Sequence, residues 1–121
     1  MKRNHIIFLG SLFGFLSVAM GAFGAHALKE SLTPELTDTY KTGILYLMIH
    51  SVVLLGVGLA GIEKYFKSSY FFLSGILLFS ISLILYSVTG IKTFAMFAPF
   101  GGASFMIGWI LIMVSSLKKD I

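Results

Sequence analysis

Cysteine is absent from this 121-residue chain, which excludes disulfides and thiolate metal ligands. Charge is scarce. Asp, Glu, Lys and Arg make up 12% of the residues, about half the share usual in soluble domains, against 57% apolar residues and a mean hydropathy of +0.95. A soluble chain of this make-up has too little polar surface to cover its core. The net charge is +4, but the nine Lys and Arg stand scattered at segment ends, a pattern of membrane topology and not of nucleic-acid binding. Formal charge is missing altogether from four stretches, 4–28, 42–62, 68–91 and 93–117.

Each of these stretches reaches the roughly 20 residues that carry a helix across about 30 Å of hydrocarbon. Barrel strands would be about half as long and would alternate polar with apolar residues. Helices also satisfy their own backbone groups, as lipid requires. The expected fold is therefore all-α. It is an integral-membrane bundle of four transmembrane helices, antiparallel and up-down, forming one domain over 1–121 with spans near 6–28, 43–62, 69–90 and 95–117. Lys2–Arg3, the first apolar run and Ala25–His26–Ala27 imitate a cleaved signal peptide, but the run is long for one.

With four spans, both termini share a side. Lys2, Arg3, Lys64, Lys67, Lys118 and Lys119 lie there, against Lys29, Lys41 and Lys92 opposite, so the positive-inside rule places both termini in the cytoplasm of a bacterial inner membrane. Between helices 1 and 2, "SLTPELTDTYK" has a helix start. Thr33 is the N-cap, Pro34 takes the first turn, and Glu35 lies near the positive helix end. The stretch reads as a short interfacial helix or as an extension of helix 2.

Small residues recur on one face of helix 1: Gly10, Gly14, Ser17, Gly21 and Ala25, with Gly24 beside them. Helix 4 has Gly101, Gly102, Ser104 and Gly108. In lipid, helices associate where small residues let backbones approach, so ordinary bundle packing accounts for these stripes. Pro99 either breaks helix 4 or sits in its first turn.

The polar residues fall towards one end. His26 closes helix 1, Tyr46 and His50 stand four apart on helix 2, and Thr89 ends helix 3. These four form a candidate polar cluster in the outer leaflet, while Trp109 falls in the opposite half. An intramembrane histidine is a functional candidate by default, yet a neutral one is easily buried when both ring nitrogens find partners. Structural histidine and ligand, proton or headgroup site both stay open.

"GAFGAHAL", Tyr46–His50 as Y-x-x-x-H, "FS-x-S" at 79–82, "TGIK" at 89–92, "P-x-GG" at 99–102 and "GW" at 108–109 occur in that order. This set, over nearly the whole chain, resembles the bacterial domain of unknown function 423 family, also called uncharacterised protein family 0382. The resemblance implies a small four-helix inner-membrane protein and no particular biochemical activity. Its typical residues fall here on Gly21, Gly24, His26, Tyr46, His50, Pro99, Gly101, Gly102, Gly108 and Trp109. Leu47, Ile81, Ile84 and Ala98 depart from it, each towards a less polar site.

An enzyme is not expected: no Asp or Glu lies inside a span, and the serines offer no triad. No metal or cofactor is expected either, since two histidines fall short of a zinc shell unless a dimer pools them. The expected role is a non-catalytic bundle that binds membrane lipid or a partner membrane protein, with a homo-oligomer open. The alternatives are a small oligomeric transporter or channel, or a histidine-based metal or haem protein.

Overall fold

The computed structural model describes residues 1–119. Its frame is four helices: α1 (Arg3–Gly24), α2 (Pro34–Ala60), α3 (Ser68–Thr89) and α4 (Lys92–Ser116). They contain 22, 27, 22 and 25 residues, so each is long and apolar enough to cross a bilayer. Among the described residues there is no strand.

The stretch after Thr33 is an extension of α2 and not a separate interfacial helix. The Thr33 hydroxyl accepts from the Leu36 N–H at 3.1 Å, Pro34 fits the first turn, and nothing interrupts the helix before Gly61. The second span thus begins nine residues before the position the charge pattern suggests. Gly61 ends α2 in the left-handed region at φ 69°, where a side chain would be strained. Arg3 then reaches across from α1, its Nε donating to the Gly58 carbonyl at 3.0 Å and Nη2 to that of Leu59 at 3.2 Å. A cation thereby meets the negative end of α2.

Two helices carry a wider, π-type turn: Met20–Gly24 in α1 and Ile76–Ile81 in α3. α4 is interrupted at 96–97 and restarts as Ala98–Ser116, with Pro99 in the new first turn. Proline lacks the N–H that an unbroken helix would bond to the carbonyl of Ala95, so break and first turn are one feature.

Close backbone packing runs α1 to α2, α2 to α3 and α3 to α4. The α1–α2 register is read from the glycines: Gly10 faces Leu55, Gly14 faces Ser51, Gly21 faces Ile44 and Gly24 faces Tyr40. The small-residue stripe is not uniform. A Cβ on Gly10 would stand 2.6 Å from the Leu55 backbone nitrogen, while on Gly14 and Gly21 it would make ordinary contacts of 3.9 and 3.5 Å. Gly24 is needed for another reason, because a Cβ there would overlap the Tyr40 hydroxyl, which donates to the Met20 carbonyl at 2.5 Å. Ser17 is buried and donates to the Gly14 carbonyl at 2.7 Å. The side chain of Ala25 lies outside the described residues.

Candidate functional site

α2 and α4 meet through rings. His50 is 3% exposed, and both its ring nitrogens are engaged. Nδ1 lies 2.8 Å from the Tyr46 carbonyl, one turn back on the same helix, and Trp109 Nε1 lies 3.2 Å from Nε2. An indole N–H can only donate, so Nε2 accepts and Nδ1 carries the proton that the carbonyl receives. This fixes one neutral tautomer, and the imidazole becomes a polar bridge between α2 and α4.

Aromatic side chains enclose the bridge. The Phe105 ring stacks on His50 at 3.6 Å between centroids and 10° between planes. Phe72 packs at 5.8 Å from His50 and meets Trp109 edge-on at 5.4 Å. Tyr46 lies 4.7 Å from Phe79. The edge-on Phe72–Trp109 pair is of the kind that adds to area burial alone.

Glycines on α3 and α4 make the space. A Cβ on Gly75 would overlap the Phe105 ring, and one on Gly108 would stand 2.7 Å from the Phe72 ring. Gly101 lies against the Leu78–Phe79 backbone, where a Cβ would overlap main chain. Gly102 is freer, with its nearest contact at 3.9 Å to the Phe79 ring.

In front of the bridge is a cavity of about 380 Å³ lined by Tyr46, His50, Phe79, Pro99, Gly102, Ala103, Phe105, Met106 and Trp109. Tyr46 and Trp109 are 38% and 42% exposed, so it opens sideways between α2 and α4. No described residue engages the Tyr46 hydroxyl, which leaves a donor at its edge.

The cluster expected from sequence divides. Tyr46 and His50 come together. His26 is exposed and lies beyond Tyr40 in the α1–α2 register, so roughly 15 Å of helix separates its level from that of His50. The sequence estimate brought them within a turn because it began the second span near Gly43. Thr89 stands about 15 Å past Phe79 along α3. Its hydroxyl donates to the Leu85 carbonyl at 2.6 Å, and it closes the helix beside Gly90, which has φ 72°.

Trp109 is a correction of the opposite kind, because it belongs with His50 and not in a separate apolar half. The sequence reading missed Phe72, Phe105 and Gly75. Phe105 and Trp109 stand four apart, as Tyr46 and His50 do, and facing pairs at that spacing were the one signal available.

Ser51, next to His50, donates to the Leu47 carbonyl at 2.5 Å. Among the described residues no three His, Asp or Glu side chains gather as a metal shell. The axial offset of His26 and His50 does not suit a bis-histidine haem. Ser80 is fully buried and has the one buried side-chain polar atom without a partner among the described residues, but it lies outside the cavity lining.

A family model described as "Protein of unknown function (DUF423)" matches residues 20–102. The chain is similar to the UPF0382 membrane protein YwdK of Bacillus subtilis (strain 168), at 37% identity over 117 residues, covering 93% of this chain and 95% of the relative. It is also similar to the UPF0382 inner membrane protein YgdD of Escherichia coli (strain K12), at 31% over 122 residues, covering 98% and 93%. A UPF0382 membrane protein of Haemophilus influenzae is 36% identical over 120 residues, covering 97% of each chain. No solved structure matches the chain.

Proposed function

This chain belongs to the DUF423 family of membrane proteins, and we propose that it acts without catalysis, as a compact bundle that holds a lipid acyl chain in the groove between α2 and α4. The observation that carries the reading is the cavity of about 380 Å³ beside His50. It runs from Pro99 to Trp109, roughly 15 Å along α4, the length of a substantial part of an acyl chain. Its walls are aromatic or aliphatic, and it opens within the membrane-spanning part of the molecule. Lipid tails are the solvent there, and a tail in the groove regains dispersion contacts that an empty groove lacks. The Tyr46 hydroxyl is placed to donate to an ester carbonyl. Non-catalysis is supported by the occupied nitrogens of His50, which leave the groove's own histidine no nitrogen free to take a proton.

Trp109 is the single tryptophan of the chain and lines the groove, so its fluorescence reports occupancy. In bilayers with a fixed fraction of lipid brominated along its tails, Trp109 should be quenched more strongly in the native chain than in Gly102→Leu, which fills the groove. Equal quenching in the two proteins would sink the acyl-chain reading.

The same proposal sets the chain in the bacterial inner membrane with both termini cytoplasmic, supported by the six-to-three basic bias between the two ends. A C-terminal reporter active only outside the cytoplasm should stay silent, and activity would invert the topology.

A further inference from the structure

A second cavity lies at the other end of the α1–α2 hairpin from the Arg3 cap. Its volume is about 230 Å³, and it is lined by Leu28, Lys29, Leu32, Thr37, Tyr40 and Lys41. We propose that it is a phosphate-binding site, filled by the phosphodiester of a phospholipid in the adjoining leaflet.

The chain builds the cavity from two directions. Lys29 comes from the turn after α1, while Thr37, Tyr40 and Lys41 share one face of α2 in its first turns. Tyr40 is held as a fixed wall by its bond to the carbonyl of Met20, the first residue of the π-type turn in α1. Leu28 and Leu32 supply an apolar floor.

The chemistry selects an oxyanion. Both charged groups in the lining are lysines, and no described residue engages either of them. The acids of this connection, Glu30, Glu35 and Asp38, are absent from the lining. The neighbouring hydroxyls of Thr39 and Thr42 are spent on the carbonyls of Glu35 and Asp38, at 3.1 and 3.0 Å. That of Thr37 has no such partner among the described residues and is left as a donor. Two ammonium groups and one hydroxyl suit the free oxygens of a phosphate.

Position selects the source. The uncharged stretch of α2 begins at Thr42, directly past Lys41, so the cavity lies at the end of the apolar span, where phosphates of the leaflet stand. Free inorganic phosphate has the same oxyanion chemistry, and the test separates the two. The site is distinct from the groove beside His50 and shares none of its lining residues.

Native mass spectrometry of the full chain carrying Gly102→Leu, which fills the groove beside His50, reads the second site alone in detergent with added dioleoylphosphatidylglycerol or dioleoylglycerol. The phospholipid should be retained and the phosphate-free diglyceride lost. Adding Lys29→Gln with Lys41→Gln should weaken retention roughly thirtyfold, from about one membrane-surface charge interaction per lysine. Adding Lys29→Arg with Lys41→Arg instead should keep it. Equal retention by the Gln pair, with an unaltered thermal midpoint, would overturn the site. Displacement of the phospholipid by millimolar inorganic phosphate would overturn the lipid assignment. Loss on Gly102→Leu alone would show that the bound phospholipid sits in the groove and not here.

Discussion

His50 shows how both nitrogens of an imidazole find partners inside an apolar bundle. One nitrogen is used within its own helix and the other across to α4, so neither needs water. Trp109→Phe keeps an aromatic body but strands Nε2, and should cost about 1–2 kcal/mol of stability. His50→Phe removes both ends of the bridge. A cycle with Trp109→Phe, followed by thermal or denaturant unfolding in detergent, should show a double mutant less damaged than the sum of the singles. The corresponding cycle between His26→Phe and His50→Phe should be additive, because the two lie at different levels. Coupling there would restore the shared cluster. Sequence made the Tyr46–His50 pair legible because both residues are on one helix at a fixed spacing. It could not supply Trp109, because that contact depends on how far α4 slides along α3, and Gly101 against the Phe79 backbone decides this.

At the scale of a helix, the small-residue stripes divide into positions where backbone meets backbone and positions with room to spare. Spacing alone makes Gly10, Gly14 and Gly21 equivalent. The packed partner makes them unequal, since Leu55 main chain cannot yield at Gly10 while a serine Cβ is all that faces Gly14. Gly10→Ala and Gly101→Ala should therefore each destabilise by about 1–3 kcal/mol, as overpacking does. Gly14→Ala and Gly102→Ala should be near neutral in the same unfolding assay. Equal losses at all four would mean that glycine flexibility, and not close approach, sets their cost. The start of α2 was legible because a local signal exists at Thr33–Pro34. The π-type turns at Met20–Gly24 and Ile76–Ile81 carry no such signal and follow from tertiary fit.

Across the whole molecule, the four spans were legible because length and hydropathy are enough to define them. Their up-down order was read as well, but the contacts that hold each seam were not. Close glycine packing recurs along the seams, but the Arg3 cap belongs to α1 and α2 alone and the ring cluster around His50 to α2, α3 and α4. Regions joined by different contacts can open separately. Gly10→Leu drives a large side chain into the Leu55 backbone and should loosen α1 while leaving the ring cluster closed. Trp109 reports on that cluster alone, since it is the only indole in the chain. Under native conditions the variant should lose amide-exchange protection in α1 and at the Gly58–Ala60 end of α2, with the Trp109 emission maximum unmoved. A red shift of Trp109 in step with the loss of protection would mean that α1 and the ring cluster form one cooperative unit. The lipid groove would then depend on all four helices, including the one that contributes nothing to its lining.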